Sequence, residues 1–539
     1  MSLVVIRGIR MKKLNKNEEV ILEFISKNLN TSLSKILENT GIQKRTAQRA
    51  LKSLIEKELI EAIGTTSNRE YRRVFDSQDF IVKLVVFMSG ELVGSLHYGG
   101  GEYTFEYDSK YNGEEFEGIP KGEISRSVEL FAYFENLIPE YDRRDRLLDG
   151  RDDIADILED LNNSHGALDF VRLEELFKYK PSYGKRKNWI SVKSEILSDN
   201  IFPNLIAAEV MIANEILDAT TNTEHSDLSG YQTKVDINIV DNEIVESSSA
   251  EYLLKPRNKN KSNYFNADEN GKKRYYPYIA INEHLFMTFA KNELAFDVPY
   301  TGIIKAKDVD YHYVTKRYDR INGLKYNQVD FAQILGIKSS DKYNSSSEEL
   351  FRAIDKKLSF KDAKLEAIMF YYYSYLIKHA DLHLKNIGAL EIGNKKYILA
   401  PLYDLISVGV YNGESWDLGL PLKEPSKKPK NWKLNDFYKL AKLVGISKSA
   451  FKKEARNITE RFITRMPDYI KRLEEFEKEN PLPVQKTRVA RYKGFASKIN
   501  NMFQERIITL KKLGIIEELS LVEVAGGLLS AQKKKHHSL

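Results

Sequence analysis

The segment HADLHLKN at residues 379–386 and the segment LAPLYD that ends at Asp404 hold the side chains best suited to chemistry. Asp381 precedes Asn386 by five residues, and Asp404 follows Asp381 by 23 residues. Phosphoryl transfer asks a protein to orient an acceptor hydroxyl, hold cations and neutralise phosphate charge. An Asp, an Asn and a second Asp in this order predict a catalytic base, Asp381, a metal ligand, Asn386, and a second carboxylate, Asp404, which are the parts that phosphoryl transfer needs.

The elements before this segment could position a nucleotide. Residues 226–240 predict a turn at Gly230 followed by a strand, and backbone amides beside a glycine can face phosphate. A turn glycine is also common in ordinary hairpins, so this signal is weak alone. A second predicted strand, 252–255, ends in Lys255. Glu283 begins an apolar helical run and could either pair with Lys255 or simply favour the helix dipole.

Two further strands are predicted at 301–305 and 311–316, and the second runs into TKRYDR at residues 315–320. Such a segment is where a hinge would offer backbone groups to an adenine. Each signal is weak alone. Their order in one chain, from glycine turn through strand lysine, helix glutamate and hinge to the Asp and Asn residues, favours a nucleotide-dependent phosphotransferase.

Residues 15–75 predict a separate unit of three helices and a two-stranded hairpin, the pattern of a winged helix-turn-helix. Eight Lys or Arg and four Glu lie between Gly41 and Arg73, and these basic and amide side chains suit phosphates and base edges. We therefore expect binding to duplex DNA, although a solvated basic face on a dimerisation module is the alternative. The predicted DNA-binding residues are Lys44, Arg45, Gln48, Arg49, Lys52, Arg69, Arg72 and Arg73.

Residues 80–107 predict an antiparallel meander, and residues 126–138 and 151–162 predict helices. Residues 412–520 are predicted to be helical and are rich in lysine.

With these motifs identified, the chain resembles the HipA family of bacterial serine/threonine kinases, the toxin members of toxin–antitoxin systems. The resemblance runs from about residue 80 to beyond residue 420. HADLHLKN and PLYDLIS are the most specific of the motifs that carry it. The others are FENLIPE (134–140), SGYQTK (229–234), NEHLFMTFAKNELAFDVP (282–299), KRYDR (316–320) and QILGIKSSDKY (333–343).

The resemblance implies roles for individual residues. Gly230 and Lys234 would lie in the phosphate loop, and Lys255 would contact the phosphates. The backbone of Lys316 and Tyr318 would hold the adenine. Asp319 and His383 would lie near the ribose. ATP and Mg²⁺ are the implied cofactors, with Asn386 and Asp404 as the two Mg²⁺ ligands.

The phosphate loop departs from the family pattern. The best-known members carry a serine three residues before the loop glycine, and its autophosphorylation ejects the loop and stops the enzyme. Asp227 occupies that position here, with Ser226 and Ser229 on either side. A carboxylate has less charge and fewer acceptors than a phosphoserine. We therefore expect Ser226 or Ser229 to be the modified residue if such a switch exists.

Composition limits the classes of protein. The 539 residues allow several domains, a net charge of +6 is mild, and the absence of cysteine excludes disulfides and thiolate metal sites. No apolar run approaches 18 residues and the N-terminus makes a poor secretory signal, so a cytoplasmic protein without a membrane partner is expected. Met11 is a possible natural start, and residues 530–539 look like a polar appendage.

We therefore predict an α+β chain: an N-terminal winged helix domain followed by a two-lobed, protein-kinase-like HipA fold with a largely helical C-terminal lobe. The predicted domains are 15–75, a HipA N-terminal subdomain at 78–180, a nucleotide-binding part at 181–320 and a helical lobe with the catalytic loop at 321–530. The predicted function is ATP-dependent serine/threonine protein kinase activity, with DNA binding for autoregulation. An antitoxin and a second copy of the chain are further candidate partners, and the protein substrate is open.

Two alternatives stay open. The first is a DNA-binding transcription regulator whose kinase-like part binds nucleotide but transfers nothing. The second is a small-molecule kinase related to aminoglycoside phosphotransferases, which share the spacing of His379, Asp381 and Asn386. A metal cluster of His379, Asp381 and His383 is disfavoured, because in a strand the aspartate would point away from both histidines.

Overall fold

The structure is a computed structural model, and part of the chain is described in it. The described residues are 14–26, 31–57, 59–65, 69–74, 80–139, 144, 148, 151, 153–161, 165–180, 189–197, 200–212, 234–247, 250–256, 278–306, 310–411, 416–423, 426–480 and 494–526. The chain divides into two compact units. One contains residues 1–162 and 168–181, and the other contains residues 163–167 and 182–539.

The first unit begins with three helices and a small antiparallel sheet. The helices are Lys16–Ser26, Leu33–Thr40 and Lys44–Glu56. In the sheet, Glu70–Arg73 lies between Thr31–Ser32 and Ile60–Ile63. The helix Leu33–Thr40 starts where the Ser32 side chain accepts from the Lys35 amide, and it ends at Gly41, whose φ of 67° suits a residue without Cβ. Ile21, Ile36, Leu51, Leu54 and Ile60 are among the residues that form the core.

The rest of the first unit is a five-stranded antiparallel sheet. Its strands, in spatial order, are Ser125–Ser127, Glu102–Tyr107, Glu91–Gly99, Phe80–Met88 and Leu168–Arg172.

The helix predicted at 126–138 is wrong over its first part. Residues 125–127 pair with the strand Glu102–Tyr107, and only Ala132–Glu135 is helical. The sequence Ser-Arg-Ser has little helix preference, and an open sheet edge satisfies its backbone instead. Of the second predicted helix, the structure has Asp156–Asp160, and a 3₁₀ segment follows at Leu173–Lys178.

The second unit begins with the helix Trp189–Ile196 and a six-stranded sheet. The strands, in spatial order, are Thr301–Lys305, Tyr311–Lys316, Tyr252–Lys255, Val235–Val240, Glu243–Glu246 and Glu209–Val210. All neighbours are antiparallel except the last pair. The helix Ile279–Leu294 packs on this sheet, and its residues from Ala280 to Ala290 are all buried. Four strands lie within the bounds expected from the sequence. This helix starts earlier than expected, at Ile279, so Glu283 does not lie in its first turn.

The remainder of the second unit is mostly helical. A three-stranded sheet contains Gln328–Asp330, Gly388–Glu391 and Tyr397–Leu399, and Arg320–Ile321 pairs with Leu324–Lys325. The helices are Phe331–Ile334, Ser347–Lys357, Lys361–Leu376, Leu434–Leu443, Lys448–Glu479, Phe495–Lys512 and Ile515–Glu518. Among the described residues, 3₁₀ turns occur at Ser339–Asp341, Leu384–Asn386 and Val408–Val410. Within the described residues, no helix has the length and apolar character needed to cross a membrane.

Candidate active site

A β-hairpin brings the predicted metal ligands to one end of the second unit's small sheet. Its strands, Gly388–Glu391 and Tyr397–Leu399, pair antiparallel. Asn386 lies two residues before the first strand, and Asp404 lies five residues after the second. Because the start of one antiparallel strand lies beside the end of its partner, both side chains belong to the same end of the hairpin.

Lys255 lies at the end of an interior strand of the large sheet and joins two carboxylates. Its Nζ lies 2.7 Å from Glu283 Oε1 and 2.9 Å from Glu283 Oε2, and it also donates to Asp404 Oδ1. Lys234 approaches from the neighbouring strand, with its Nζ 3.8 Å from Asp404 Oδ2. The predicted pairing of Lys255 with Glu283 is therefore present, and Asp404 completes the cluster.

Burial and charge act in opposite directions on this cluster. Burial raises the pKa of Glu283 to about 7, although Lys255 opposes the shift. Burial also acts to raise the pKa of Asp404, but the ammonium groups of Lys255 and Lys234 outweigh it and hold that pKa well below its usual range. The two carboxylates raise the pKa of Lys255 despite its burial. At neutral pH the cluster thus keeps a charged lysine and a charged Asp404.

The backbone at Asp404 is fixed from the helix Ile279–Leu294. Asp404 has a φ of 53°, a left-handed conformation that is uncommon for residues other than glycine. Three residues later, the Ser407 amide donates to Asn282 Oδ1 at 2.9 Å, and Asn282 Nδ2 donates to the Ser407 carbonyl at 2.9 Å. Asn282 is fully buried and adjoins Glu283, so one helix turn holds both Lys255 and the segment behind Asp404.

Asp381 lies in the loop before the 3₁₀ turn Leu384–Asn386. The Tyr343 phenol donates to Asp381 Oδ1. The Tyr343 ring meets the His383 ring edge-to-face, with centroids 4.9 Å apart. His383 Nδ1 in turn accepts from the Lys385 amide at 3.2 Å, which fixes the imidazole over the start of the turn. The loop is therefore held both by Tyr343 from an earlier segment and by its own residue His383.

His379 is a buried aromatic side chain rather than a proton carrier. It is fully buried, and neither ring nitrogen has a hydrogen-bond partner. Burial lowers its pKa to about 3, so the imidazole is neutral. In the part of the chain that the structure describes, no three His, Asp or Glu side chains form a metal-binding cluster.

The donor chemistry at the hairpin end fits Mg²⁺. Asn386 supplies an amide oxygen and Asp404 a carboxylate, and Mg²⁺ prefers oxygen ligands, usually one or two carboxylates together with phosphate and water. Lys255 and Lys234 beside Asp404 are suited to phosphate oxygens.

The hinge backbone follows the end of the strand Tyr311–Lys316. The Lys316 amide is already used, because it donates to the Tyr300 carbonyl at 2.9 Å. Tyr318 is buried and its phenol donates to Gln328 Oε1. That the backbone of Lys316 and Tyr318 binds adenine stays a prediction. Backbone groups other than the Lys316 amide would have to make the hydrogen bonds to adenine.

Asp319 is held by two arginines. Arg317 Nε and Nη2 donate to its two oxygens at 3.0 Å each, and Arg320 Nη1 donates to Oδ2 at 2.8 Å. The Gly166 amide also donates to Oδ2 at 3.3 Å, and Arg320 donates to the Gly166 carbonyl at 3.0 Å. Although burial opposes it, the two guanidinium groups keep the pKa of Asp319 well below its usual range. Both oxygens of Asp319 thus already accept hydrogen bonds from the protein. Its predicted role near the ribose stays a prediction, and a ribose hydroxyl would have to share an oxygen with these donors.

The phosphate-loop residues Gly230, Ser226 and Ser229 lie outside the described residues, so their predicted roles stay predictions. Of the predicted DNA-binding residues, five are exposed on the helix Lys44–Glu56: Lys44, Arg45, Gln48, Arg49 and Lys52. Arg69 is exposed, and Arg72 pairs with Glu61 across the hairpin. The side chain of Arg73 lies outside the described part.

Sequence reasoning missed three residues near the candidate site. Tyr343 and Asn282 lie inside motifs that carried the resemblance, but their types alone indicate no role. Lys385 lies inside HADLHLKN, and its Nζ donates to Ser339 Oγ at 3.0 Å. All three residues lie within motifs that carry the family resemblance, and this position is the sequence signal that could have identified them.

Part of the chain matches a known protein family. Residues 226–470 match the family model of the HipA-like C-terminal domain. This part of the chain is therefore a HipA-like C-terminal domain, in agreement with the resemblance that the sequence motifs indicated.

Two curated relatives match smaller stretches. A Haemophilus influenzae protein named "Putative kinase" is 28% identical over 198 residues, which are 34% of this chain and 53% of the relative. A Sinorhizobium fredii protein named "Putative kinase Y4dM" is 27% identical over 150 residues, 25% of this chain and 36% of the relative. The chain spans about half the length of the first and about a third of the second.

A solved structure shares the fold more broadly. In the complex of the Shewanella oneidensis MR-1 toxin–antitoxin system HipA, HipB and its operator DNA, the matching chain has a TM-score of 0.55 and 18% identity. The match covers 81% of this chain and 99% of that one. At this identity the likeness extends to the fold alone.

Proposed function

We propose that the chain is an ATP- and Mg²⁺-dependent serine/threonine protein kinase of the HipA toxin type. The supporting observation is the cluster in which the buried Lys255 binds Glu283 and Asp404 together. Asn386 lies at the same hairpin end as Asp404, and Asp381 lies five residues before Asn386. A charged lysine, two oxygen ligands and a carboxylate base are the parts that phosphoryl transfer needs.

Each residue has a stated task in this proposal. Asp381 accepts the proton of a serine or threonine hydroxyl as the hydroxyl oxygen attacks the γ-phosphorus and ADP leaves. Lys255 and Lys234 neutralise phosphate charge, and Glu283 keeps the Lys255 ammonium directed into the site. Mg²⁺, when bound by Asn386 and Asp404, would add positive charge beside the phosphates. The two hydrogen bonds between Asn282 and Ser407 hold the segment after Asp404 in place. The site is therefore positioned before the substrates bind, which favours phosphoryl transfer.

The test compares the native chain with Asp381→Ala after expression in bacteria. Losing a general base is expected to slow phosphoryl transfer by about 10²–10⁴-fold. Growth arrest and new phosphoserine or phosphothreonine sites in the phosphoproteome should occur with the native chain and disappear with the variant. Asp468→Ala, which removes an exposed carboxylate from the long helix Lys448–Glu479, is the control and should behave like the native chain.

Three results would go against the proposal. Equal phosphorylation by the native chain and Asp381→Ala would remove Asp381 from the reaction. Phosphorylation of a small hydroxyl compound in place of proteins would favour the small-molecule alternative. ATP binding without transfer to any acceptor would favour the silent regulator.

We also propose that residues 15–75 form a winged helix that binds duplex DNA. The exposed polar row on the helix Lys44–Glu56 supports this, because Arg, Lys and Gln suit phosphates and base edges. The HipA of Shewanella oneidensis occurs in a complex with HipB and operator DNA. An antitoxin and an operator are accordingly the partner classes to test for this chain, together with a second copy of the chain.

A further inference from the structure

The segment that contains Tyr343 is attached to the catalytic loop at several points. The Leu384 amide donates to the Lys342 carbonyl at 3.4 Å, and Lys385 Nζ donates to Ser339 Oγ at 3.0 Å. The Tyr343 ring packs edge-to-face on His383. These contacts hold the segment that contains Tyr343 against the catalytic loop and place its phenol within hydrogen-bond reach of Asp381 Oδ1.

The position of this phenol matters because Asp381 is the proposed base. A base must be within hydrogen-bond reach of the hydroxyl whose proton it removes. The Tyr343 phenol already donates to one Asp381 oxygen, as an incoming serine or threonine hydroxyl would. Tyr343 is 40% exposed, so its side chain has room to turn towards solvent.

We propose that Tyr343 is a specificity-determining gate, whose phenol holds the acceptor's place on Asp381 until a protein hydroxyl displaces it. This inference rests on the proposed kinase function. A protein acceptor makes contacts on both sides of its hydroxyl and can offset the lost phenol hydrogen bond, whereas a water molecule cannot. The gate thus selects a protein hydroxyl over water and limits the wasteful hydrolysis of ATP.

The reaction that the gate suppresses is simple. Water would give one proton to Asp381, its oxygen would bond to the γ-phosphorus, and the bond from that phosphorus to the bridging oxygen of ADP would break. The products are ADP and inorganic phosphate, and no further reactant is needed.

The experiment measures release of inorganic phosphate from ATP by the full chain, with no protein acceptor added. Tyr343→Phe removes the hydroxyl and keeps the ring that packs on His383. We expect about a fivefold rise in phosphate release, the factor that one net hydrogen bond is worth. Tyr343→Leu, which removes hydroxyl and ring, is expected to raise the rate as well. Adding Asp381→Ala to Tyr343→Phe should return the rate to that of Asp381→Ala alone.

Tyr438→Phe is the matched control. The Tyr438 phenol also donates to a carboxylate, Glu518 Oε1 at 3.2 Å, but it lies on the helix Leu434–Leu443. This variant should release phosphate at the native rate.

The outcomes separate this inference from the kinase proposal. An unchanged or slower rate in both Tyr343 variants, with native turnover that depends on Asp381, would overturn the gate and leave the kinase standing. The tyrosine would then orient the base. Phosphate found on Tyr343 by mass spectrometry would overturn the gate too, because the phenol would be an acceptor. No transfer to protein or water by any variant would overturn both.

Discussion

Glu283 and Asp404 bind the same lysine, but burial and charge move their pKa values in opposite directions. The two lysines beside Asp404 keep it charged, whereas burial dominates at Glu283. Glu283 is therefore the member of the cluster that titrates near neutral pH. Lys255 stays charged near neutral pH, because Asp404 remains a carboxylate there even when Glu283 is protonated. Phosphate binding by Lys255 should therefore persist over the pH range in which Glu283 titrates and the stability of the unit changes.

This difference gives a pH prediction. The pKa of Glu283 is raised from 4.5 to about 7 in the folded chain, so between these values the folded state binds more protons than the unfolded state. The free energy of unfolding should therefore fall as pH rises from about 4.5 to 7, by about 1–3 kcal/mol from this residue. Glu283→Gln should lack this part of the decline in denaturant titrations at several pH values.

Glu293→Gln is the control on the same helix, where Glu293 pairs with Arg465 at 3.8 Å. It should keep the native pH dependence. A decline of the same size in Glu283→Gln and in the native chain would show that the proton is bound elsewhere.

At the residue scale, the sequence predicted side-chain types better than their contacts. The pairing of Lys255 with Glu283 was one of two roles that the sequence left open for Glu283, because a strand lysine and a helix glutamate have a known arrangement in protein kinases. The contact of Asp404 with Lys255 and that of Tyr343 with Asp381 were not foreseen. They join residues 149 and 38 positions apart, and such contacts depend on how elements pack.

At the element scale, the helix Ile279–Leu294 links two parts of the site through adjacent residues. Asn282→Ala should leave the amide and carbonyl of Ser407 without partners in a buried position. We expect the free energy of unfolding to fall by about 1–3 kcal/mol. We also expect phosphoryl transfer to slow, because the segment after Asp404 loses its anchor. Denaturant titration and initial rates at saturating ATP measure the two effects.

The same helix offers a control. Asn292 Nδ2 donates to the Asn200 carbonyl at 2.7 Å, ten residues along from Asn282. Asn292→Ala should destabilise the chain and leave the transfer rate at saturating ATP unchanged. Equal slowing by both variants would mean that general destabilisation, and not the position of Asp404, limits the rate.

The exposed helix Lys44–Glu56 leads to a prediction about salt. Arg45→Ala combined with Arg49→Ala should weaken binding to duplex DNA and lower the slope of log affinity against log salt by about 2, because two phosphate contacts are lost. Lys16→Ala removes an exposed cation from the helix Lys16–Ser26 and should change both quantities less. Fluorescence anisotropy across a salt series measures them, and an unchanged slope in the double variant would move the DNA surface elsewhere.

Elements with a clear period were predictable from the sequence. The strands Tyr252–Lys255, Thr301–Lys305 and Tyr311–Lys316 have the bounds expected from β-branched and aromatic runs. Residues 125–127 did not form the predicted helix, because a neighbouring strand offered backbone partners that local preference cannot anticipate. Tertiary pairing overrides weak helix preference in such short segments.

At the scale of the whole molecule, the two proposed activities belong to different units. Arg45 and Arg49 lie in the first unit, and Asp381 lies in the second. Asp381→Ala should therefore abolish phosphoryl transfer and keep native DNA affinity. The Arg45→Ala, Arg49→Ala double variant should show the reverse. Both variants are to be measured in both assays, and loss of both activities in either one would indicate coupling between the units.

The path of the polypeptide limits how these units can be taken apart. Residues 163–167 belong to the second unit although residues on both sides of them belong to the first, so the backbone passes from one unit to the other three times. Cleavage after residue 162 would take the edge strand Leu168–Arg172 from the five-stranded sheet. Cleavage after residue 181 would take Gly166 away from Asp319 and Arg320. Neither cut yields two intact fragments, so point substitution is the cleaner way to silence one activity while sparing the other.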